Sequence, residues 1–451
     1  MSDERVWRHG GGDRGRTALF PGEASLGPLR RLLETKASIQ APVVFDRSGA
    51  AYLADMAGGV YACRADAGLL WRAQVPGGVA AAPALSEDDQ SLFVGTLAGY
   101  VCRLETLSGR ERWRTLLPTD SDPRVVADLL FLREEGWIAA SSWGGRLTAL
   151  DATTGAPARS WDAGLYPSAP AAADPRGRIW FLRTRDPAGL ELVLAEPHGG
   201  EQTVLRTPAG PRGARRLRAI APPVADARHN RLWHIANAGP ACRLIAVDLE
   251  TGRKKVEIAW DAAVTAGAAL LPDGGLAIAD LAGRAAALDS AGGVRWKADL
   301  GADYLLAGLA ADRAGRVFCV DPLGAVWRFS PPGKNSKWVK RGGPCLPGLP
   351  LTPPDASGSP RRTEGSASSE PLEIRGRPNA DRSRSDPLKR LRRGRAREAA
   401  CRSLPPDNQT RSALKWKDPP PPRAGGKCPD ARGLHNPKRP GRTACSWSPL
   451  P

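Results

Sequence analysis

The sequence lacks the features that would place it among membrane-spanning, zinc-binding or disulfide-linked proteins. It contains no run of about 18 apolar residues, the length that a membrane-spanning helix needs. Its eight cysteines include no Cys-x-x-Cys pair and no Cys/His spacing typical of zinc. Asparagine occurs at only six positions and histidine at five, so common ligands and bases are scarce. We therefore expect no transmembrane helix, no metal motif and cysteines that stay reduced.

The N-terminus also lacks the apolar stretch of a signal peptide. Residues 1–9 read Met-Ser-Asp-Glu-Arg-Val-Trp-Arg-His, which is charged rather than apolar. The chain as written is therefore expected to be cytoplasmic. A start codon assigned too far downstream would hide a signal and make the protein periplasmic.

Residues 341–451 differ in composition from everything before them. They hold 20 of the 42 prolines, no Val, Phe or Tyr, and 23 Lys and Arg against 10 Asp and Glu. Such a stretch cannot bury enough apolar surface to offset its chain entropy, so we predict a disordered, basic, Pro/Arg-rich tail. A frameshift in a GC-rich gene, a genuine basic linker and a nonspecific nucleic-acid arm at 389–397 all remain open. Few aromatic residues are available for stacking, so we predict no specific nucleic-acid partner.

What the sequence does have is a motif that returns about every forty residues. It reads Gly-x-φ-x-Ala-Leu-Asp-x-x-Thr-Gly-x-x-x-Trp, where φ is apolar, and its clearest copy runs from Gly145 to Trp161. Seven turn glycines mark the copies at spacings of 41, 46, 44, 53, 40 and 41 residues: Gly68, Gly109, Gly155, Gly199, Gly252, Gly292 and Gly333. A fixed period in this range is typical of a repeat architecture.

Each period contains short apolar runs bounded by turn residues, which indicates strands. In the first repeat these runs are 41–45, 51–54 and 60–63, too short for ordinary helices. With the tryptophan-bearing segment they make a four-stranded unit of about 40 residues, the size of a propeller blade. The sequence thus predicts an all-β propeller over 41–340, with seven or eight blades both open. The opening segment, 1–40, is expected to supply the outer strand of the closing blade.

The recurring tryptophans and glycines have a structural reason to recur. A blade contacts only its two neighbours, so each interface needs a large buried anchor, and glycine lets a ring lie against the backbone. The residues predicted to dock one blade on the next are Trp71, Trp113, Trp161, Trp260, Trp296 and Trp338, with Gly68, Gly109, Gly155, Gly252 and Gly292.

The motif resembles the repeat of the PQQ-like, or quinoprotein-like, β-propeller family, in which it docks tryptophan between blades. The opening residues 7–22 also resemble the first segment of such proteins. The resemblance covers roughly residues 5 to 340. It implies the propeller fold, whereas the motif residues are structural in every member and imply no activity.

Catalysis by a quinone enzyme of this family would need PQQ and Ca²⁺. A hard Ca²⁺ site needs six to eight oxygen ligands, and the sequence shows no cluster of Asp, Glu and Asn. It also lacks the adjacent cysteine pair that such enzymes often have. We therefore predict no catalytic residue, no metal site and no cofactor; PQQ and Ca²⁺ belong only to the alternative of a quinoprotein oxidoreductase.

One long connection stands out as a candidate partner-binding loop. Residues 203–222 account for the 53-residue spacing and carry four arginines within seven residues, namely Arg212, Arg215, Arg216 and Arg218. Their planar donors suit carboxylates or phosphates, although a simple solvated loop is the favoured interpretation.

These observations favour a bacterial-type, monomeric binding or scaffold module without intrinsic catalysis, acting on an unidentified protein partner. The alternatives are the quinoprotein oxidoreductase and an assembly factor for outer-membrane proteins. Similar propellers are found among such assembly factors. The absent signal and lipid-anchor motif count against the second of these.

Overall fold

A computed structural model describes residues 6–338 of the chain. The description omits 25–32, 119–120, 165, 186–188, 209–216, 219, 301–307, 321–325, 332–333 and the side chains of 217–218 and 334–338. By their internal contacts, residues 1–363 and 364–451 form two units, and all described residues belong to the first. The predicted tail, 341–451, lies outside the described residues.

The described residues form seven sheets, each built from consecutive strands and referred to here as blades 1 to 7. Blade 1 contains β2 (Val44–Phe45), β3 (Ala51–Ala54), β4 (Gly59–Arg64) and β5 (Gly68–Gln74). Blade 2 contains β6 (Ala84–Leu85), β7 (Ser91–Gly95), β8 (Tyr100–Glu105) and β9 (Glu111–Leu116). Blade 3 contains β10 (Leu130–Leu132), β11 (Trp137–Ser142), β12 (Arg146–Asp151) and β13 (Pro157–Asp162). Blade 4 contains β14 (Ala172–Ala173), β15 (Ile179–Arg185), β16 (Gly189–Ala195) and β17 (Glu201–Thr207). Blade 5 contains β18 (Leu217–Arg218), β19 (Val224–Asp226), β20 (Arg231–Ala238), β21 (Ala241–Asp248) and β22 (Lys254–Trp260). Blade 6 contains β23 (Ala269–Leu270), β24 (Leu276–Ala279), β25 (Arg284–Leu288) and β26 (Val294–Asp299). Blade 7 contains β27 (Ala310–Asp312), β28 (Val317–Val320), β29 (Val326–Ser330) and β30 (Lys334–Trp338), and the N-terminal strand β1 (Leu19–Phe20) joins the same sheet.

The four strands of a blade differ in burial because they lie at different distances from the ring axis. The first strands are short and fully buried, as in β2, β6 and β14. The fourth strands alternate between half-buried and exposed residues, as in β9 and β26. This pattern is expected when one edge of a sheet lies at the centre of a ring and the other lies at its periphery.

The apolar core lies between neighbouring blades rather than within any one of them. Phe93 of blade 2 stacks on Phe131 of blade 3 with ring centroids 5.8 Å apart. A single buried cluster contains Phe45 and Tyr61 of blade 1 together with Phe318 and Phe329 of blade 7. The first and last blades therefore share a core, which makes the ring a closed seven-bladed propeller in the described part of the chain.

The N-terminal strand corrects one sequence prediction. The opening segment was expected at the outer edge of the closing blade, but β1 pairs in parallel with β27, with Leu19 opposite Ala311. The order of this sheet is β1-β27-β28-β29-β30, so β1 occupies the inner edge. The outer position is taken by β30, which follows β29 directly in the sequence.

No helix in the described residues is long and apolar enough to cross a membrane. The four described cysteines, Cys63, Cys102, Cys242 and Cys319, are all buried, and no disulfide joins them. Burial raises the pKa of the Cys102 and Cys242 thiols to about 12, so both are protonated and unreactive at neutral pH.

Candidate functional site

Residues 7–20, called the axial segment below, run around the ring axis and touch every blade. One or two hydrogen bonds join the segment to the first strand of each blade in turn. The pairs, from blade 1 to blade 7, are Trp7 with Phe45, Arg8 with Leu85, His9 with Phe131, Arg14 with Ala173, Gly15 with Ala225, Thr17 with Leu270 and Ala18 with Ala311. Six of these contacts use only backbone atoms, while the third uses the His9 ring.

Arg16 anchors the axial segment from the inside. Its guanidinium is fully buried and donates from Nε to the carbonyl of Ala171 at 3.0 Å and from Nη2 to that of Leu129 at 2.8 Å. Nη1 donates to the Gly10 carbonyl at 2.5 Å and lies 3.9 Å from the Asp128 carboxylate. Burial lowers the pKa of Arg16, but arginine remains charged at neutral pH. Since carbonyl oxygens occupy most of its donors, Arg16 is a structural clamp more than a ligand anchor.

The other polar groups at the axis are similarly engaged. Asp13 accepts two bonds from Thr17, from N at 3.0 Å and from Oγ1 at 2.6 Å, and burial raises the pKa of its carboxyl group. His9 Nε2 accepts the Phe131 N–H at 3.2 Å, whereas the buried Nδ1 atom has no partner. Burial and the nearby Arg16 charge lower the pKa of His9, which is therefore neutral at pH 7. Except for His9 Nδ1, these polar atoms at the axis are therefore hydrogen-bonded within the protein.

Two residues of the axial segment adopt backbone conformations that side chains rarely take. Arg16 has φ +58° and Ala18 has φ +48°, each in the left-handed region. The segment is also tightly fitted: a Cβ atom added at Gly10 would lie 2.2 Å from the Asp128 carboxylate. Strain of this kind persists only when surrounding contacts determine the conformation, as the blade contacts do here.

A cavity of about 210 Å³ opens beside the axial segment. Its wall is formed largely by Ala, Pro and Gly residues that precede the first strands, with Trp7, Ile220 and Leu309 as larger apolar residues. The polar lining consists of Arg16, Gln40, Asp128, Ser168 and Thr265. Asp128 is the only carboxylate among these described lining residues, and burial raises its pKa.

These residues do not fit the PQQ and Ca²⁺ of the quinoprotein alternative. Ca²⁺ prefers six to eight oxygen ligands with several carboxylates, while the cavity offers only Asp128, beside the Arg16 cation. Across the described residues, no group of three or more His, Cys, Asp or Glu side chains is placed to hold a metal ion.

Trp71, Trp113 and Trp296 lie where one blade meets the next. The Trp71 ring covers Gly109 and its Nε1 donates to the Thr106 carbonyl at 2.6 Å. Trp113 covers Gly155 in the same way and donates to Ala152 at 3.1 Å. Trp296 stacks on Phe329 of blade 7, with ring centroids 4.9 Å apart. The Trp338 side chain lies outside the described residues.

Trp161 and Trp260 are also buried between blades, Trp161 with residues of blades 3 and 4 and Trp260 with residues of blades 5 and 6, but neither ring covers the turn glycine of the next blade. The outer strands of blades 1 to 6 each have a bulge, and in blade 1 Trp71 is the residue on its far side, opposite Ala62. The equivalent residue in blade 3 is Arg159, opposite Ala149, because Trp161 lies two residues farther along β13. In blade 5 it is Val256, with Trp260 at the end of β22. The motif spacing from glycine to tryptophan is longer in these two copies, so the ring lies farther along the outer strand and packs between the blades at a different point.

Other residues reach the turn of the next blade at these two interfaces. Arg159 donates from Nη2 to the Gly199 carbonyl of blade 4. In blade 5, Val256 and Ile258 cover Gly292, where an added Cβ atom would lie 2.6 Å from Ile258 Cδ1. Trp260 instead donates from Nε1 to the buried Asp280 carboxylate at 3.0 Å, beneath the Lys297 ammonium.

The predicted turn glycines Gly68, Gly109, Gly155, Gly252 and Gly292 all lie in tight turns with positive φ. The aspartate of the motif caps three of these turns, as Asp151, Asp248 and Asp289; for example, Asp151 Oδ1 accepts the N–H groups of Thr153 and Thr154 at 3.0 and 2.7 Å. Of the predicted arginine loop, Arg212, Arg215 and Arg216 lie outside the described residues, as does the Arg218 side chain.

Sequence reasoning missed two features. The opening segment was recognised but not its path around the axis, which no local pattern reveals. A second set of aspartates, buried in the turns between first and second strands, was also missed: Asp46, Asp174, Asp226 and Asp312. Asp174, for example, accepts Arg178 Nε at 2.7 Å and Trp180 Nε1 at 3.0 Å. The recurring Asp-x-x-Gly in the first strand turns was the available signal.

The comparisons with known proteins agree with this architecture. A family model described as "Outer membrane protein assembly factor BamB" matches residues 2–174, 58–260 and 241–357. Among solved structures, BamB from Moraxella catarrhalis is similar with a TM-score of 0.54 and 16% identity, over 70% of this chain and 89% of that one. The WD40 repeats of RRP9 are similar with a TM-score of 0.48 and 14% identity, over 65% and 90%. No curated protein matches the chain in sequence.

The structural likeness shows the fold alone, since the identities are low. The family match is broader, because its three segments together span the opening segment and all seven blades. The chain therefore belongs to the PQQ-like repeat family of β-propellers that the BamB model describes.

Proposed function

We propose that this propeller is a non-catalytic binding module that presents a rigid surface to a protein partner. The observation that carries the proposal is the axial segment. It runs along the inner edge of the ring and bonds to inner strands of all seven blades, so its polar groups brace the fold.

The chemistry of the axis supports this reading. The Arg16 donors are directed at carbonyl oxygens and the Asp13 oxygens at Thr17, so these groups hold the fold together. A general base needs to reach the proton it removes, and His9 is buried with its Nε2 already accepting a backbone N–H. What remains for function is the outer surface of a closed, well-braced ring.

The proposal is tested with the full chain in two assays. Isothermal calorimetry with PQQ in the presence of Ca²⁺ is expected to show no saturable heat. Cross-linking in the source cells, followed by reconstitution with the purified cross-linked protein, is expected to give a complex of defined stoichiometry by light scattering. Saturable, stoichiometric PQQ binding with a shifted quinone absorbance band would overturn the proposal.

A role in outer-membrane protein assembly is the second candidate, favoured by the description of the matching family model. It specifies the class of partner rather than a different activity. Under this candidate, the cross-linked protein would belong to the outer-membrane assembly machinery. Recovery of an unrelated partner alone would reject this candidate and leave the binding module in place.

A further inference from the structure

The fourth strand of every blade leaves one edge of its sheet open. In the sheet orders, β5, β9, β13, β17, β22 and β26 each come last, with no described strand beyond them. Open edges pair readily with strands of other chains, and proteins usually protect them with charges, proline or bulges. All six of these strands have a bulge, so they differ only in charge and proline, and an edge that lacks both at its bulge is a candidate site for strand addition.

The outer strands differ at the two residues that form the bulge. These positions hold Glu111 and Arg112 in β9, Pro157 and Ala158 in β13, Thr203 and Val204 in β17, Lys254 and Lys255 in β22, and Val294 and Arg295 in β26. In β5 they hold Leu69 and Leu70, which are 48% and 43% exposed. Of these six strands, only β5 has two large apolar residues there.

A third exposed leucine lies in the turn beside this edge. Leu107 is 91% exposed and belongs to the turn of blade 2 whose Thr106 carbonyl accepts the Trp71 N–H at 2.6 Å. The corresponding turn positions in blades 3 and 5 hold Thr153 and Glu250, both polar. Leu69, Leu70, the half-buried Trp71 and Leu107 are called the blade 1 edge patch below.

The charges around the patch are not balanced. Arg72 and Arg110 are both exposed, and among the described residues no carboxylate lies within ion-pair distance of either. Arg72 lies over the Tyr61 ring, 5.5 Å from its centroid. The nearby carboxylates are already paired: Asp66 with Arg64, Glu105 with Arg112 and Glu111 with Arg114. The patch is therefore apolar with a positive border.

We propose that the blade 1 edge patch docks an extended, acidic and apolar strand of a partner protein, which pairs with β5 as a fifth strand of blade 1. Alternating apolar side chains of that strand would cover Leu69, Leu70 and Leu107, and its carboxylates would meet Arg72 and Arg110. Pairing with a second copy is disfavoured because it would bring the same unpaired cations together. The proposal rests on the binding-module function and specifies where it acts.

The test uses the full chain and a fluorescent peptide of alternating Glu and Val, with an alternating Lys and Val peptide as its counterpart. Fluorescence anisotropy is expected to show saturable binding of the acidic peptide, weakened by salt, and at least ten-fold weaker binding of the basic one. Leu70→Asp is expected to weaken binding at least ten-fold. The matched control is Val294→Asp on β26, which is 49% exposed and should leave binding unchanged.

The other outcomes are equally informative. Equal binding by Leu70→Asp and Val294→Asp, or no binding of the acidic peptide at all, would overturn the edge proposal. Sedimentation that shows a dimer abolished by Leu70→Asp would overturn it in favour of self-association. A reconstituted partner complex that is insensitive to Leu70→Asp would reject this edge while leaving the proposed function intact.

Discussion

The centre and the periphery of the ring are built by opposite rules. At the centre, seven first strands make equivalent contacts with one continuous segment, and almost all of these contacts use the backbone. At the periphery, the equivalent strand positions hold tryptophan in blades 1, 2 and 6 but Arg159 and Val256 in blades 3 and 5. Backbone hydrogen bonds accept most sequences, whereas side-chain packing at an interface can be solved in several ways.

The strongest way to break the comparison is to remove the clamp at the centre. Arg16→Met is expected to lower the free energy of unfolding by about 3–5 kcal/mol, because it leaves the carbonyls of Gly10, Leu129 and Ala171 buried without a donor. Arg14→Met is the control: its ion pair with Glu134 is partly exposed and is worth less than about 1 kcal/mol. Denaturant unfolding monitored by tryptophan fluorescence measures both. Equal losses would show that Arg16 is not a clamp.

A second test concerns pH and a buried histidine between blades 4 and 5. Burial lowers the pKa of His234 to about 4 and neither ring nitrogen has a partner, while the unfolded chain has a value of about 6.5. Above pH 6.5 both states are neutral; below it the unfolded state binds the proton first. Stability is therefore expected to fall as pH drops from 6.5 towards 4, by about 2 kcal/mol at pH 5.

His234→Gln should remove this part of the pH dependence, and His9, whose pKa is also lowered, accounts for part of the remainder. His198→Gln, at an exposed position, is the matched control. Urea unfolding at pH 7 and pH 5 gives the readout. A slope that is the same in wild type and His234→Gln would contradict the assignment.

The third test sharpens the comparison at a single tryptophan. Gly109→Ala is expected to cost about 2–3 kcal/mol, because the turn has φ +70° and the new Cβ would lie 2.5 Å from the Trp71 ring. Gly136→Ala is matched in backbone, with φ +64°, but its Cβ would meet nothing within 4 Å, so about 1 kcal/mol is expected. Thermal unfolding of both variants measures the difference, which is the cost of crowding the ring.

The smallest effect is expected in blade 3, where Arg159 takes the strand position that tryptophan holds in blade 1. Arg159→Ala removes one bond to the Gly199 carbonyl and should cost less than about 1.5 kcal/mol, whereas Trp71→Ala should cost about 2–4 kcal/mol. If Arg159→Ala cost as much as Trp71→Ala, the blade 3 interface would depend on its anchor as strongly as blade 1 does. Chemical denaturation of the two variants decides between these outcomes.

The repeat period and strand lengths were enough to predict the fold, because each blade repeats the same local signals; the family was predicted from the resemblance of the repeated motif to that of a known family. Trp161 and Trp260 show the limit of this reasoning: a tryptophan two to four residues late lies farther along the outer strand and packs between blades without covering the turn glycine, and only the register reveals it. The axial segment could not be derived either, since its partners are scattered from Phe45 to Ala311. The blade 1 edge patch could not be predicted either, because it depends on which side chains are exposed to solvent, and the bulge in β5 interrupts the alternation from which exposure is usually inferred.

The path of the axial segment has a consequence for synthesis. The residues that leave the ribosome first have their last contacts in the blade made last, as the bond from Ala24 to Asp312 across 288 positions illustrates. At roughly 5–20 residues per second, this segment waits roughly 15 to 60 seconds for that partner. During that interval the blades already made form an incomplete ring that lacks some of its contacts with the axial segment. This incomplete ring is the species that a chaperone would bind and that premature termination of synthesis would release.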